Sequence, residues 1–225
     1  MKFSILSLFP EYFESPLGVS IIKRARDRGI VSFDLVNIRD FALDKHKTVD
    51  DRPYGGGPGM VLKPQPVVDA VRSVRLPESR VVYLSPQGRV LTAALCRELS
   101  QVPHLVLLCG HYEGIDPRAI SLEVDEEISI GDYVLTSGAP AALVVVDAVI
   151  RFLPGVIGHP DAVRQDSFEE GIFDNVHYTR PPEFEGLKVP EVLVNGHHRE
   201  IEKWKKQQAS EKTQKVRPDL VRLDR

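Results

Sequence analysis

Two cysteines, two methionines and one tryptophan are all that the 225 residues contain of these types. Cys96 and Cys109 both sit among apolar neighbours. Two such cysteines make no disulfide framework; buried thiols in a reducing compartment are the expectation, which points to the cytoplasm. No apolar run approaches the ~20 residues that cross a bilayer, so no membrane is expected. The segment Met1 to Glu11 has too short an apolar core and no small-residue cleavage site, and it reads as a first strand rather than a leader. Familiar signatures are missing as well. No Gly-Lys-Ser/Thr occurs, and no Gly-x-Ser-x-Gly elbow. Gly57-Pro58-Gly59-Met60-Val61-Leu62 carries Leu where a dinucleotide fingerprint needs its third Gly. His111 lies two residues from Cys109, but no Cys-x-x-Cys or His-Glu-x-x-His accompanies it, so no zinc ligands are expected. A divalent ion that assists a reaction is not readable from the residues.

Charge of one sign is also scarce overall. The net charge is −3, with 42% hydrophobic and 27% charged residues, ordinary for a globular chain. The distribution is uneven. Residues 197–225 hold nine Lys or Arg against five Asp or Glu, and residues 1–196 carry a net charge of −7. A basic tail on an acidic body suits a polyanion, although a solvated helix face reads the same way.

What the chain does have is glycine at turns. From Pro53 to Gly59 it places four glycines and two prolines in seven residues, flanked by Asp50-Asp51-Arg52 and Met60. Such a run forms neither helix nor regular strand. It reads as a shaped loop whose backbone meets a ligand, or as a structural crossover loop.

Elsewhere strand and helix patterns alternate. Strands are predicted at Lys2 to Phe9, Val31 to Ile38, Arg80 to Ser85, His104 to Cys109 and Glu127 to Ile130. Helices are predicted from Ser15-Pro16 to Gly29, Pro66 to Val74, Leu91 to Leu99, after Asp116-Pro117, and from Ala139 to Leu153. The last is almost wholly apolar and therefore central. Apolar strands alternating with helices imply an α/β fold, a mostly parallel sheet with helices on both faces. Ligands then bind beyond the carboxyl ends of the strands. Three of those ends carry glycine turns: Ser85 to Gly88, Gly110 to Gly114, and Gly131 to Gly138. The polar stretch 158–171 reads as a linker, mobile without ligand and ordered once its ligands are bound. It divides residues 1–157 from a small, mainly helical domain, 172–225, with a helix from about His197 to Gln208 capped by Asn195. Glu113 in a glycine turn, Arg151 at the end of the apolar helix and Asp166 in the linker form a candidate acid/base and oxyanion set. Each also reads as a cap, an ion pair or a solvated charge.

Several segments together resemble the bacterial tRNA (guanine-N1-)-methyltransferases of the knotted SPOUT superfamily. They are Thr48 to Met60, Leu84 to Gly88, Cys109 to Asp116, Ser129 to Leu135, Arg151 to Gly158, Asp166 to Gly171 and His177 to Pro181. The resemblance implies a deep trefoil knot in the first domain, and a homodimer with its active site between subunits. It implies methyl transfer from S-adenosylmethionine to N1 of the guanosine 3′ of the anticodon, position 37 of tRNA. The cofactor residues it implies are Tyr83, Leu84, Ser85, Pro86, Gly110, Tyr112, Glu113, Gly114, Ser129, Ile130, Gly131, Asp132, Tyr133, Val134, Leu135 and Gly138. Asp166 matches the general base, Arg151 a supporting cation and Glu113 a carboxylate near the methyl donor. Arg199, Lys203, Lys205 and Lys206 are the candidate RNA contacts. Thr136-Ser137-Gly138-Ala139-Pro140 departs from the family's Gly-Gly-Glu stretch, so contacts by 136–141 are the less secure part. An RNA-binding relative without catalysis, and a ribose or other-base methyltransferase, are the rival readings.

Overall fold

A computed structural model describes residues 1–158, 166–169 and 171–221. The chain forms two compact units, Met1–Gly158 and His159–Arg225. Of the expected linker only Gly158, 166–169 and Gly171 are described, so its expected mobility lies outside the described residues, as do Arg222 and Arg225.

In the first unit, β1 (Lys2–Ser7) leads through a 3-10 turn into α1 (Glu14–Leu17), α2 (Ser20–Asp27) and β2 (Ser32–Asn37). A two-stranded ladder follows, β3 (Asp50–Asp51) with β4 (Val61–Leu62), then α3 (Pro64–Val74), β5 (Ser79–Val90) and α4 (Ala93–Leu99). Next come β6 (His104–Cys109), α5 (Pro117–Glu123), β7 (Glu126–Ser129) and α6 (Ala139–Ile150). The main sheet has the order β2-β1-β6-β5-β7, all parallel.

Both faces of this sheet are covered, which is why its strands read as apolar runs. Phe3, Ile5, Val82, Leu84, Leu105, Leu107 and Cys109 pack with α4 and α6 in one cluster. Leu6, Val81, Tyr83, Val106 and Leu108 pack with α3 and α5 in another. Each fully buried Leu, Ile or Phe is worth about 1.5–3 kcal/mol. The polar exceptions in the sheet are matched: His104 is buried and bonded to the hydroxyls of Ser4 (2.9 Å) and Ser79 (2.6 Å). Burial, and then the charge of Lys2, hold its imidazole below the usual value, in the neutral form that these bonds use.

Three expectations are corrected. The helix expected from Ser15 comes as two pieces, with Phe13 and Val19 rather than Ser15 at the caps. The chain breaks at Gly18 and Val19, where the extended backbone of Val19 cannot continue a helix, and Leu17 and Ala25 still reach the same cluster. At the far end of α2 the Gly29 N–H donates to Arg26 O and the Ile30 N–H to Ala25 O, with Gly29 at φ 69°, a left-handed cap. The strand expected to stop at Ser85 runs on to Val90. Leu84 and Arg89 both lie opposite Ile128, so 85–88 loop out while β7 holds both ends of the strand. Proline and glycine fit there because looped-out residues owe the ladder nothing.

The third correction falls in the second unit. A hairpin of β8 (Glu183–Phe184) and β9 (Leu187–Lys188) turns at Glu185-Gly186, both at positive φ. Then come α7 (Glu191–Val194), α8 (His198–Val216) and α9 (Pro218–Val221). The main helix runs eight residues beyond Gln208. Ala209 and Thr213 are buried, and the Thr213 hydroxyl donates to Ala209 O while accepting from the Phe173 N–H. Asn195 stands outside the helix, its side chain accepting from the His197 N–H.

Candidate active site

β6, β5 and β7 are neighbours in the sheet; β6 and β7 open at their carboxyl ends into two of the glycine turns, and the third, 85–88, loops out of β5 between Leu84 and Arg89. The turns converge on a cavity of about 200 Å³. They are also bonded to one another. The Gly138 N–H donates to Gly110 O at 2.9 Å, and His111 and Ser137 form an isolated antiparallel bridge. The Ser129 hydroxyl accepts from the Gly131 N–H at 3.1 Å. The Glu113 N–H donates to Met60 O at 3.0 Å, and the Leu62 N–H to Gly114 O at 3.0 Å. The glycine run between Pro53 and Gly59 is thereby anchored beside the 110–114 turn.

Two glycines show why side chains are excluded here. A Cβ on Gly138 would stand 3.0 Å from Cys109 Cα and 3.0 Å from Gly110 N. A Cβ on Gly59 would run into the Glu113 side chain, and Gly59 has φ +83° besides. Tyr83 lies beneath the turns, its hydroxyl beside Gly110 and Gly114. Burial, and then the charge of Glu127, push its phenol upward, so it stays a neutral hydrogen-bonding group. Cys109 is wholly buried and its thiol is raised further than that of Cys96, which burial pushes to about 11. Neither is a nucleophile near neutrality.

Of the cofactor residues expected from the sequence, Tyr83, Leu84, Ser85, Pro86, Gly110, Tyr112, Glu113, Gly114, Ser129, Ile130, Gly131, Tyr133, Val134, Leu135 and Gly138 all line the cavity. Asp132 belongs to the same turn but is not among the lining residues. His111, Ile128, Thr136, Ser137 and Ala141 line it as well; of these only Ile128 lies outside the expected turns, the others falling within 110–114 or 136–141 without being named singly. For His111 the signal was its place between Gly110 and Tyr112. For Thr136 and Ser137 it was their place inside the third turn, where the departure from the family pattern pointed the other way. Arg151 caps the end of α6 and is not a lining residue. Asp166 lies in a half-buried bend of the second unit, its carbonyl accepting from the Glu169 N–H. On α8, Arg199, Lys203 and Lys206 are exposed, whereas Lys205 is half-buried and reaches Glu202 at 3.6 Å.

Among the described residues no group of three or more His, Cys, Asp or Glu is placed to hold a metal ion. No described helix is long and apolar enough to cross a membrane.

A parallel sheet with helices on both faces and a cavity where the turns of three adjacent strands meet defines an α/β protein of the kind that binds ligands at that edge of the sheet. The profile of the family described as tRNA (Guanine-1)-methyltransferase TrmD matches residues 1–223, and the chain belongs to that family of SPOUT methyltransferases. Among its relatives, a tRNA (guanine-N(1)-)-methyltransferase of Protochlamydia amoebophila is 59% identical over 221 residues, covering 98% of this chain and 100% of the relative. One of Dictyoglomus turgidum is 50% identical over 221 residues, covering 98% and 90%. One of Chlamydia pneumoniae is 56% identical over 220 residues, 98% of this chain but 61% of the relative, so the chain spans about three fifths of that protein.

Proposed function

We propose that this methyltransferase moves a methyl group from S-adenosylmethionine to N1 of the guanosine at position 37 of tRNA, with Asp166 as general base. The observation that carries the reading is the cavity formed by the three glycine turns, with Glu113 among its lining residues, in a chain of this family.

The cavity fits the donor chemically. Leu84, Ile130, Leu135 and Ala141 offer apolar surface to a purine, while Gly110 and Gly138 bring the two turns that line the cavity into close contact. Glu113 supplies a negative charge to a sulfonium cation. When bound, the donor supplies an electrophilic methyl carbon. The remaining work belongs to the chain. N1 of guanine carries a proton and is a poor nucleophile until that proton leaves. Asp166 takes it, and general-base help of this kind is worth roughly 10²–10⁴ in rate. Arg151 stabilises the negative charge that develops on O6. The base leaves its stack to reach the cavity, as substrates of base-modifying enzymes do.

Residues 1–157 are the cofactor domain, 158–171 the linker and 172–225 the RNA-binding domain in this reading. Two copies share each site. Tyr133, Val134 and Leu135 on the cavity rim are exposed apolar side chains, with Val134 84% exposed, which suits a surface that a second copy covers. The trefoil knot and a cytoplasmic location, alongside the RNA substrate, belong to the same proposal.

The test is transfer of labelled methyl from S-adenosylmethionine to unmodified tRNA. Label should appear with guanosine at position 37 and not with adenosine there. Label on a ribose, or RNA binding without transfer, would give the function to one of the rival readings.

A further inference from the structure

The second unit carries a groove of its own, and it differs in character from the cavity of the first. It encloses about 630 Å³ and is lined from Asn175 to Arg180, from the hairpin and α7, and by Ile201 and Lys205 of α8. Val189, Leu193 and Ile201 give it apolar lining. Tyr178 and Arg180 line it too, on the 175–180 rim. That rim is braced. Asp174 accepts from the Asn175 N–H at 2.6 Å and is bonded to His177 Nε2 at 2.8 Å. None of the described residues lining the groove is acidic.

We propose that this groove seats one ribonucleotide of the RNA substrate, its base against Tyr178 and its phosphate on Arg180 and Lys205. The proposal rests on the tRNA reading and adds a second point of contact, separate from the exposed Arg199, Lys203 and Lys206. Three observations favour a nucleotide over a protein segment. The volume lies in the range of small-ligand sites, roughly 300–1,000 Å³, and is too small for a packed helix. Tyr178 is 51% exposed although it lines a concavity, which leaves ring surface for a base. Proteins that hold unpaired nucleotides combine such an aromatic with cations along the backbone track. Lys205 also differs from its neighbours: it is half-buried beside the groove and only 3.6 Å from Glu202, a loose pairing that a phosphate would replace.

Trp204 supplies the reporter. It is the only tryptophan in the chain, and its ring centroid lies 6.4 Å from that of Tyr178. The full chain is titrated with an anticodon stem-loop RNA while Trp204 fluorescence is followed. A saturable change is expected. Tyr178→Ala should weaken RNA binding roughly 5- to 100-fold, the range of one lost base stack. Tyr178→Phe, which keeps the ring, should stay within about twofold of the unmodified chain by the same stacking argument. Lys205→Gln should weaken binding and flatten its salt dependence. S-adenosylmethionine affinity should not change in any of them. Unchanged RNA affinity in Tyr178→Ala overturns the proposal, as does a loss that Tyr178→Phe shares. An equal, saturable response to a polyglutamate peptide also overturns it, making the groove an acidic-peptide site. Methyl transfer by the unmodified chain is measured alongside. Its failure would count against the functional reading, while the fluorescence result decides the groove by itself.

Discussion

At the scale of single residues, Gly138 shows how little room the site leaves. It joins two strands' loops through one hydrogen bond to Gly110, and a methyl group there would force the backbone of Cys109 and Gly110, 3.0 Å away, to shift. Gly138→Ala should therefore cost the donor site its shape while leaving the apolar clusters alone. Isothermal titration should show S-adenosylmethionine affinity reduced by about tenfold or more, since a sub-ångström displacement of several contacts is worth at least ~1.4 kcal/mol. Thermal unfolding should move by only a few degrees. An unchanged affinity would remove the 138 turn from the donor site. Residues of this kind were legible in the sequence as glycine at strand ends, where tight turns and close backbone approach select for it. Side chains that share the cavity for geometric reasons were less legible. His111 lines it because the 110–114 turn lies against Ser137, and no spacing rule links residue 111 to residue 137. Asp132 shows the converse: it stands in the right turn and yet does not line the cavity.

At the scale of elements, α8 presents two surfaces where its composition showed one basic cluster. Arg199, Lys203 and Lys206 follow the i, i+4, i+7 spacing of one exposed helix face, and Lys205 turns toward the groove. Replacing Arg199, Lys203 and Lys206 together by Gln should reduce the log–log salt slope of tRNA binding by roughly 2 to 3, one released counterion for each lost phosphate contact. It should raise KM for tRNA and leave kcat nearly unchanged. A slope that does not move would make this face merely solvated. Helix and strand centres were readable because apolar spacing marks them directly. Ends were harder to read. The strand Ser79–Val90 outlasts Pro86 and Gly88 because Ile128 and Ser129 offer it partners from a strand about 40 residues later. The helix His198–Val216 outlasts Gln208 because Phe173 donates to Thr213. Such distant partners leave no local trace.

At the scale of the whole molecule, the proposal that two copies share each site makes a prediction that a single chain cannot test. Asp166→Ala, and Gly138→Ala at a donor concentration well below its weakened affinity, should each be nearly inactive as separate dimers. Once mixed and allowed to exchange, random reassortment leaves one intact site in half of the dimers, so about a quarter of full activity should return. No recovery, with mixed dimers shown to form, would place Asp166 and the donor in the same subunit's site. The alternation of strands and helices announced a parallel sheet, but not the strand order, and the order matters for how the protein comes to exist. The strand His104–Cys109 lies between Lys2–Ser7 and Ser79–Val90. A chain emerging from the ribosome therefore presents its first strand and waits for about a hundred residues before that strand's inner neighbour is made. Until then Lys2–Ser7 and Ser79–Val90 each show an unpaired edge to the cell, and the cavity has not yet formed. Translation speed through residues 79–109 thus sets how long two sticky edges stay open, and chaperone demand should peak there rather than at the end of synthesis.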